Sequence, residues 1–108
     1  MGLFKRKYEK NVMRGDTFLK NYAIRINGLM RFTAENEKVS AELQKLQHDF
    51  RFTVATQARE AKKIENRIEE KFETLRNTLQ QPEWDEDAVI LMIRNIGLEI
   101  DEINALRQ

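Results

Sequence analysis

Apolar residues recur at alternating steps of three and four along residues 18–50. Written as heptads, this stretch gives ten seam positions, of which eight are apolar. The ten positions are Phe18, Tyr22, Arg25, Leu29, Phe32, Asn36, Val39, Leu43, Leu46 and Phe50. Two apolar positions per heptad are typical of helices that pack on one another along a continuous seam. The pattern therefore predicts coiled-coil-type helix packing in this part of the chain.

The spacing of the seam changes after Phe50. Polar residues, beginning with Thr53, occupy the heptad positions that follow. Apolar residues recur instead at a distance of eleven, as in Phe50, Ala61 and Phe72. An eleven-residue repeat has about 3.67 residues per turn, close to the value of a straight helix. We therefore expect one long helix whose first half supercoils and whose second half runs nearly straight.

Capping and breaking residues predict where the helices begin and end. Gly15 and Asp16 indicate a stop and an N-cap, because an Asp side chain accepts hydrogen bonds from the free backbone N–H groups of the first turn. Proline interrupts a helix interior, so Pro82 ends the long helix at about residue 81, and Asp85 caps the next one. The predicted helices cover about 16–34, 37–81 and 86–106. The first two are either separated by a turn within residues 27–36 or continuous.

The last helix is apolar on every side over residues 88–93. A helix of this kind is buried on more than one side, so it needs at least two neighbouring helices. We therefore predict an all-α fold, with an elongated antiparallel helical hairpin or three-helix coiled-coil arrangement around one long central helix. Residues 15–108 form a single domain in this interpretation.

The composition supports a helical fold and excludes several other classes. Apolar residues make up 41% and charged residues 34% of the 108 positions, with four glycines and one proline, which is typical of long helices. The chain has no cysteine, so disulfides and thiolate metal sites are excluded. No apolar run approaches the roughly 20 residues of a membrane span, and no signal-peptide pattern is visible. These features predict a cytoplasmic protein.

Charge is distributed unevenly although the net charge is only +1. Residues 1–14 contain five Lys or Arg and one Glu, whereas residues 83–108 contain seven acidic and two basic residues. The basic start lacks a clean apolar period and is predicted to be a flexible lead. It mixes cations with aromatic side chains, a combination that suits an anionic membrane surface or nucleic acid. The candidate contact residues are Phe4, Lys5, Arg6, Lys7 and Lys10.

Residues that could carry catalysis or bind a metal do not form a convincing set. Glu65, Glu69 and Glu73 share one helix face, but Lys and Arg residues interleave with them, which is typical of a solvated face. His48 is the only histidine and has no nucleophile or metal partner at a supporting spacing. The sequence therefore predicts no enzyme activity, no cofactor and no metal site.

The function that these patterns predict is a structural or protein–protein interaction module. It self-associates through helix packing, as a homodimer or higher homo-oligomer, or binds a helical partner protein. Asn36 in the seam either fixes the register between copies or caps a helix. The expected core and oligomer-interface residues are Phe32, Asn36, Leu43, Leu46, Phe50, Ile68, Phe72, Leu75, Ile90, Ile93 and Ile96. The alternative function is a peripheral adaptor that binds an anionic membrane surface or nucleic acid through residues 1–14.

Overall fold

The computed structural model describes residues 2–56 and 58–106, with residues 2–13 described as backbone only. The described chain is all-α, as predicted. Its four helices are α1 (Gly2–Met30), α2 (Glu37–Phe52), α3 (Glu60–Leu79) and α4 (Glu86–Leu106). They lie along the long axis of a body that measures 55 × 20 × 20 Å.

The four helices form a bundle of two antiparallel hairpins. Short turns at residues 31–36 and 80–85 join α1 to α2 and α3 to α4. Within the bundle α1 also packs on α3, and α2 also packs on α4. The order around the bundle is therefore α1, α2, α4, α3, and residues 53–59 connect α2 to α3 across a diagonal. The predicted three-helix arrangement is thus replaced by a four-helix bundle.

The single helix predicted over residues 37–81 is wrong, because the chain leaves the helix after Phe52 and resumes it at Glu60. Two threonines stabilise the end of α2 and the turn that follows it. The hydroxyl and the backbone N–H of Thr53 both donate to the Asp49 carbonyl oxygen, and the Thr56 hydroxyl accepts from a backbone N–H two residues on. Such local side-chain bonds compete with the helical hydrogen-bond ladder. The loss of heptad spacing after Phe50 therefore marks a turn and not a change of repeat.

The helix start predicted at Asp16 is also wrong, because α1 begins at Gly2 and continues through this position. Asp16 pairs with Lys20 one turn later, with 2.9 Å between the carboxylate oxygen and Nζ. The backbone of residues 2–14, predicted to be a flexible lead, is helical. At 29 residues α1 is about 43 Å long, against about 24 Å for the 16 residues of α2.

Gly15 serves close packing and not helix termination. It is buried, and a Cβ atom built there would lie 3.1 Å from the Cβ atom of Ala55 in the 53–59 loop. The missing side chain therefore lets this loop approach the backbone of α1.

Gly15→Ala is expected to bring no stability gain, although alanine is favoured over glycine by about 1 kcal/mol inside a helix. The added methyl group would press on Ala55. With Ala55→Gly in place the same substitution should recover most of that gain. Gly28→Ala is the matched control, since a Cβ there meets nothing within 4 Å. Urea unfolding followed by circular dichroism measures each variant, and a full gain from Gly15→Ala alone would contradict the close approach.

Caps define the starts of α2 and α4. The Asn36 side-chain oxygen accepts from the Val39 N–H at 3.0 Å, so Asn36 is the N-cap of α2. Of the two roles that the sequence left open for Asn36, the structure shows the capping role. Asp85 accepts from the Ala88 N–H at 2.9 Å and caps α4 as predicted. Trp84, just before this cap, packs against the core.

Each helix contributes one apolar stripe to a shared core. α4 packs on α2 and α3, so both of its expected neighbours belong to the same chain. Tyr22 of α1 stands between two aromatic rings, with centroid distances of 5.5 Å to Phe50 of α2 and 4.9 Å to Phe72 of α3. The Arg25 guanidinium covers the Tyr22 and Phe72 rings. This aromatic cluster joins the two hairpins.

Candidate functional site

Most residues predicted for the oligomer interface lie inside a single chain. Eight of them are buried in the bundle core: Leu43, Leu46, Phe50, Ile68, Phe72, Leu75, Ile93 and Ile96. Ile90 is half-buried, Phe32 is exposed, and Asn36 is the half-buried cap of α2. A side chain that fills the core cannot also face a second molecule, so a contact surface must be built from other residues.

Two exposed leucines mark a surface that the bundle leaves uncovered. Leu91 and Leu98 of α4 are 59% and 60% exposed. They are seven residues apart, so they lie on the same side of the helix. A single exposed leucine is common in soluble proteins, but two in line form a short apolar ridge. The sequence had shown that this part of α4 is apolar on every side, but not which side faces outward.

The outer surface formed by α2 and α4, which we call the α2–α4 face, contains a groove of about 610 Å³. The two helices run parallel there. Glu42 accepts a hydrogen bond from Arg94 at 2.8 Å, and one heptad further along Asp49 lies near Asp101. The leucine ridge borders the groove on the α4 side. Gly97 lines the groove, and a Cβ there would meet nothing within 4 Å.

Apart from the Arg94–Glu42 pair and the half-buried Asp49, the charges on the α2–α4 face form a basic strip on α2 and an acidic strip on α4. On α2, Lys38 and Lys45 are exposed and seven residues apart. On α4, Asp87 and Asp101 are exposed and fourteen residues apart. None of these four forms an ion pair within the described residues. Burial raises the pKa of Asp49 on α2, and the Asp101 carboxylate of α4 adds to this effect.

A buried carboxylate fixes α3 against α4. Glu99 accepts hydrogen bonds from Arg67 Nε at 2.8 Å and from Lys71 Nζ at 2.9 Å. Burial of the Glu99 carboxyl would raise its pKa, but these two charged donors outweigh burial and hold the pKa below its usual value. The cluster leaves no free acid or base, so its role is to set the register of the two helices.

Glu65 departs from the solvated face predicted for the glutamates of α3. It is buried, and its carboxylate oxygen lies 3.5 Å from an Arg14 nitrogen. Burial raises the pKa of Glu65, and Arg14 offsets only part of this effect. The ion pair connects α1 to α3 close to the 53–59 loop. The sequence contained no signal for it, because the pair joins positions 51 residues apart.

A second uncovered surface lies at the end of the bundle where α2 ends and α3 begins. Phe52 and Val54 are 65% and 55% exposed there. Four exposed basic residues flank them in sequence, and we call the whole set the basic end. These cations are Arg51, Arg59, Lys62 and Lys63.

The predicted contact residues at the start of the chain have side chains outside the described part of the structure. They are Phe4, Lys5, Arg6, Lys7 and Lys10. Their backbone belongs to α1, which passes the 53–59 loop at Gly15 and so leads into them from the basic end.

The described residues provide neither a candidate metal site nor a membrane-spanning helix. No group of three or more His, Cys, Asp or Glu among them is placed to hold a metal ion. No helix in this part of the chain is both long and apolar enough to cross a bilayer. No protein-family model, curated protein or solved structure matches the chain.

Proposed function

We propose that the protein is a structural interaction module that forms a homodimer through the α2–α4 face. The exposed pair Leu91 and Leu98 carries this proposal, because it is an apolar ridge beside an open groove. Burying one such leucine contributes about 1.5–3 kcal/mol. The role that this supports is one of assembly and not of catalysis.

A second copy of the chain suits this face because the face is self-complementary. A two-fold axis parallel to the helices lays α4 of one copy over α2 of the other, and the same contact forms twice. The acidic strip of Asp87 and Asp101 then faces the basic strip of Lys38 and Lys45. Complementary charge sets the orientation of the partners and speeds their encounter more than it adds affinity.

The lengths of α2 and α4 limit the area of the interface between the two copies. α2 and α4 contain 16 and 21 residues, so they are about 24 and 32 Å long. Two helices from each copy supply an interface in the lower part of the usual range of about 1,200–2,000 Å². Only two exposed leucines per copy anchor the interface, so we expect a dimer that dissociates at micromolar concentrations.

The leucine ridge is tested by the double variant Leu91→Asp and Leu98→Asp. Light scattering coupled to size exclusion should give a concentration-dependent dimer mass for the unmodified chain and a monomer mass for this variant, with unchanged helical circular dichroism. Ile24→Asp is the matched control, since Ile24 is equally exposed but lies on α1, and it should leave the dimer intact. A monomeric unmodified chain at about 200 μM would overturn the proposal and favour a different helical partner.

A charge swap tests the orientation of the two copies in the same assay. Lys45→Glu should weaken the dimer, because it places like charge opposite the acidic strip of the partner copy. Adding Asp101→Lys should restore association, since the opposed charges are then exchanged. If the double variant is no better than Lys45→Glu alone, the parallel two-fold arrangement is incorrect.

A further inference from the structure

We propose that the basic end docks on an anionic lipid surface, independently of the α2–α4 face. Phe52 and Val54 remain more than half exposed at this end. Phe52 is the last residue of α2, and Val54 follows it in the 53–59 loop. An exposed aromatic ring and a branched aliphatic side chain so close together can enter the boundary between headgroups and acyl chains.

The charge around these two side chains favours anionic lipid. Arg51 precedes the pair, and Arg59, Lys62 and Lys63 follow it at the start of α3. Among the acidic residues at this end, Glu65 is buried with Arg14 and Glu102 pairs with Arg67. Glu60 and Asp101 remain exposed, so the four cations of the basic end outnumber the exposed unpaired carboxylates. Each basic residue near an anionic leaflet contributes attraction that falls off within a Debye length.

The backbone of α1 also approaches this end of the bundle. The helix passes the 53–59 loop at Gly15, and its preceding turns contain Lys5, Arg6, Lys7 and Lys10.

Lipid fits these observations better than nucleic acid does. A nucleic-acid surface combines a track of cations with flat rings on which bases stack. Phe52 could serve in that way, but its ring already lies 4.4 Å from the His48 ring, and the aliphatic Val54 has no stacking role. The exposed apolar side chains of Phe52 and Val54, flanked by cations, match an anionic membrane interface instead.

Vesicle flotation tests the proposal with the full chain. Vesicles of phosphatidylcholine with about 30% phosphatidylserine should carry the protein, whereas pure phosphatidylcholine vesicles should not, and about 0.5 M salt should release it. Equal binding to both vesicle types, or binding to neither, would overturn the proposal. Binding to a duplex or single-stranded oligonucleotide in place of vesicles would also overturn it and would indicate a nucleic-acid surface.

Matched variants locate the contact. Phe52→Ser with Val54→Ser should weaken vesicle binding roughly tenfold or more, while Ile24→Ser, at an exposed site on α1, should leave it unchanged. Arg59→Glu should weaken binding roughly tenfold, while Arg31→Glu, at the opposite end of the bundle, should have little effect. Equal effects of the paired variants would contradict docking through the basic end. Circular dichroism confirms that each variant is folded.

Discussion

Ile93→Asp is expected to unfold the protein. Ile93 is 2% exposed on α4, the helix that packs on both α2 and α3. The new carboxylate would lie in the core without a charged partner, at a penalty of several kcal/mol. Small domains have a free energy of unfolding of about 5–15 kcal/mol, so this penalty would remove most of it. Thermal unfolding followed by circular dichroism should show a broad, early transition or none.

Ile24→Asp is the control for this substitution, because it introduces the same side chain at a position that is 66% exposed. It should change the free energy of unfolding by no more than about 0.5 kcal/mol. A melting temperature for Ile93→Asp that equals the one for Ile24→Asp would contradict the placement of α4 between α2 and α3.

Local signals explain which parts of the fold could be predicted from the sequence. The stripes of α3 and α4 follow from helical periodicity, and the start of α4 follows from Pro82 and the Asp85 cap. Each of these depends on residues within a few turns of one another. The predicted start of α4 and the all-α class therefore agree with the structure, and the start of α2 agrees with the alternative in which a turn precedes residue 37.

The two helix boundaries that were misplaced have different causes. The end of α2 is held by local threonine hydrogen bonds, but threonine alone is a weak helix breaker, so the sequence around Thr53 does not predict a turn. Gly15 and Asp16 have the residue types of a helix end followed by an N-cap. Gly15 is needed instead because Ala55 packs closely against it, and Ala55 lies 40 positions further along the chain. Sequence position alone does not show such a close approach.

The spacing of apolar residues along the chain also does not predict which surface of the folded protein faces a partner. Periodicity reveals that Leu43, Leu46 and Phe50 are buried, but it does not distinguish a partner within the chain from one in a second copy. Once residues 53–59 turn the chain back, four stripes close on each other and the core is complete within one molecule. The remaining apolar surface, including Leu91 and Leu98, becomes visible only in the assembled bundle.

Phe72→Ala is expected to lower the free energy of unfolding by about 3–5 kcal/mol, the usual range for an aromatic residue deleted from a core. Phe72 is buried on α3 and presents its ring edge-on to Tyr22 of α1. It also supports the Arg25 guanidinium, whose centre lies 4.6 Å from the Phe72 ring centroid. Urea unfolding measures the loss, and Phe52→Ala, at an exposed ring, should change stability by less than about 0.5 kcal/mol.

A double-mutant cycle with Tyr22→Leu then separates the ring–ring contact from general core filling. If Tyr22 and Phe72 join the two hairpins, their coupling should be about 0.5–1.5 kcal/mol. Phe50 lies on α2 and also stacks on Tyr22, so Tyr22→Leu should couple to Phe50→Leu as well. Additive effects in the Tyr22–Phe72 cycle would mean that the remaining contacts hold the two hairpins together, and additive effects in both cycles would mean that the aromatic cluster only fills space.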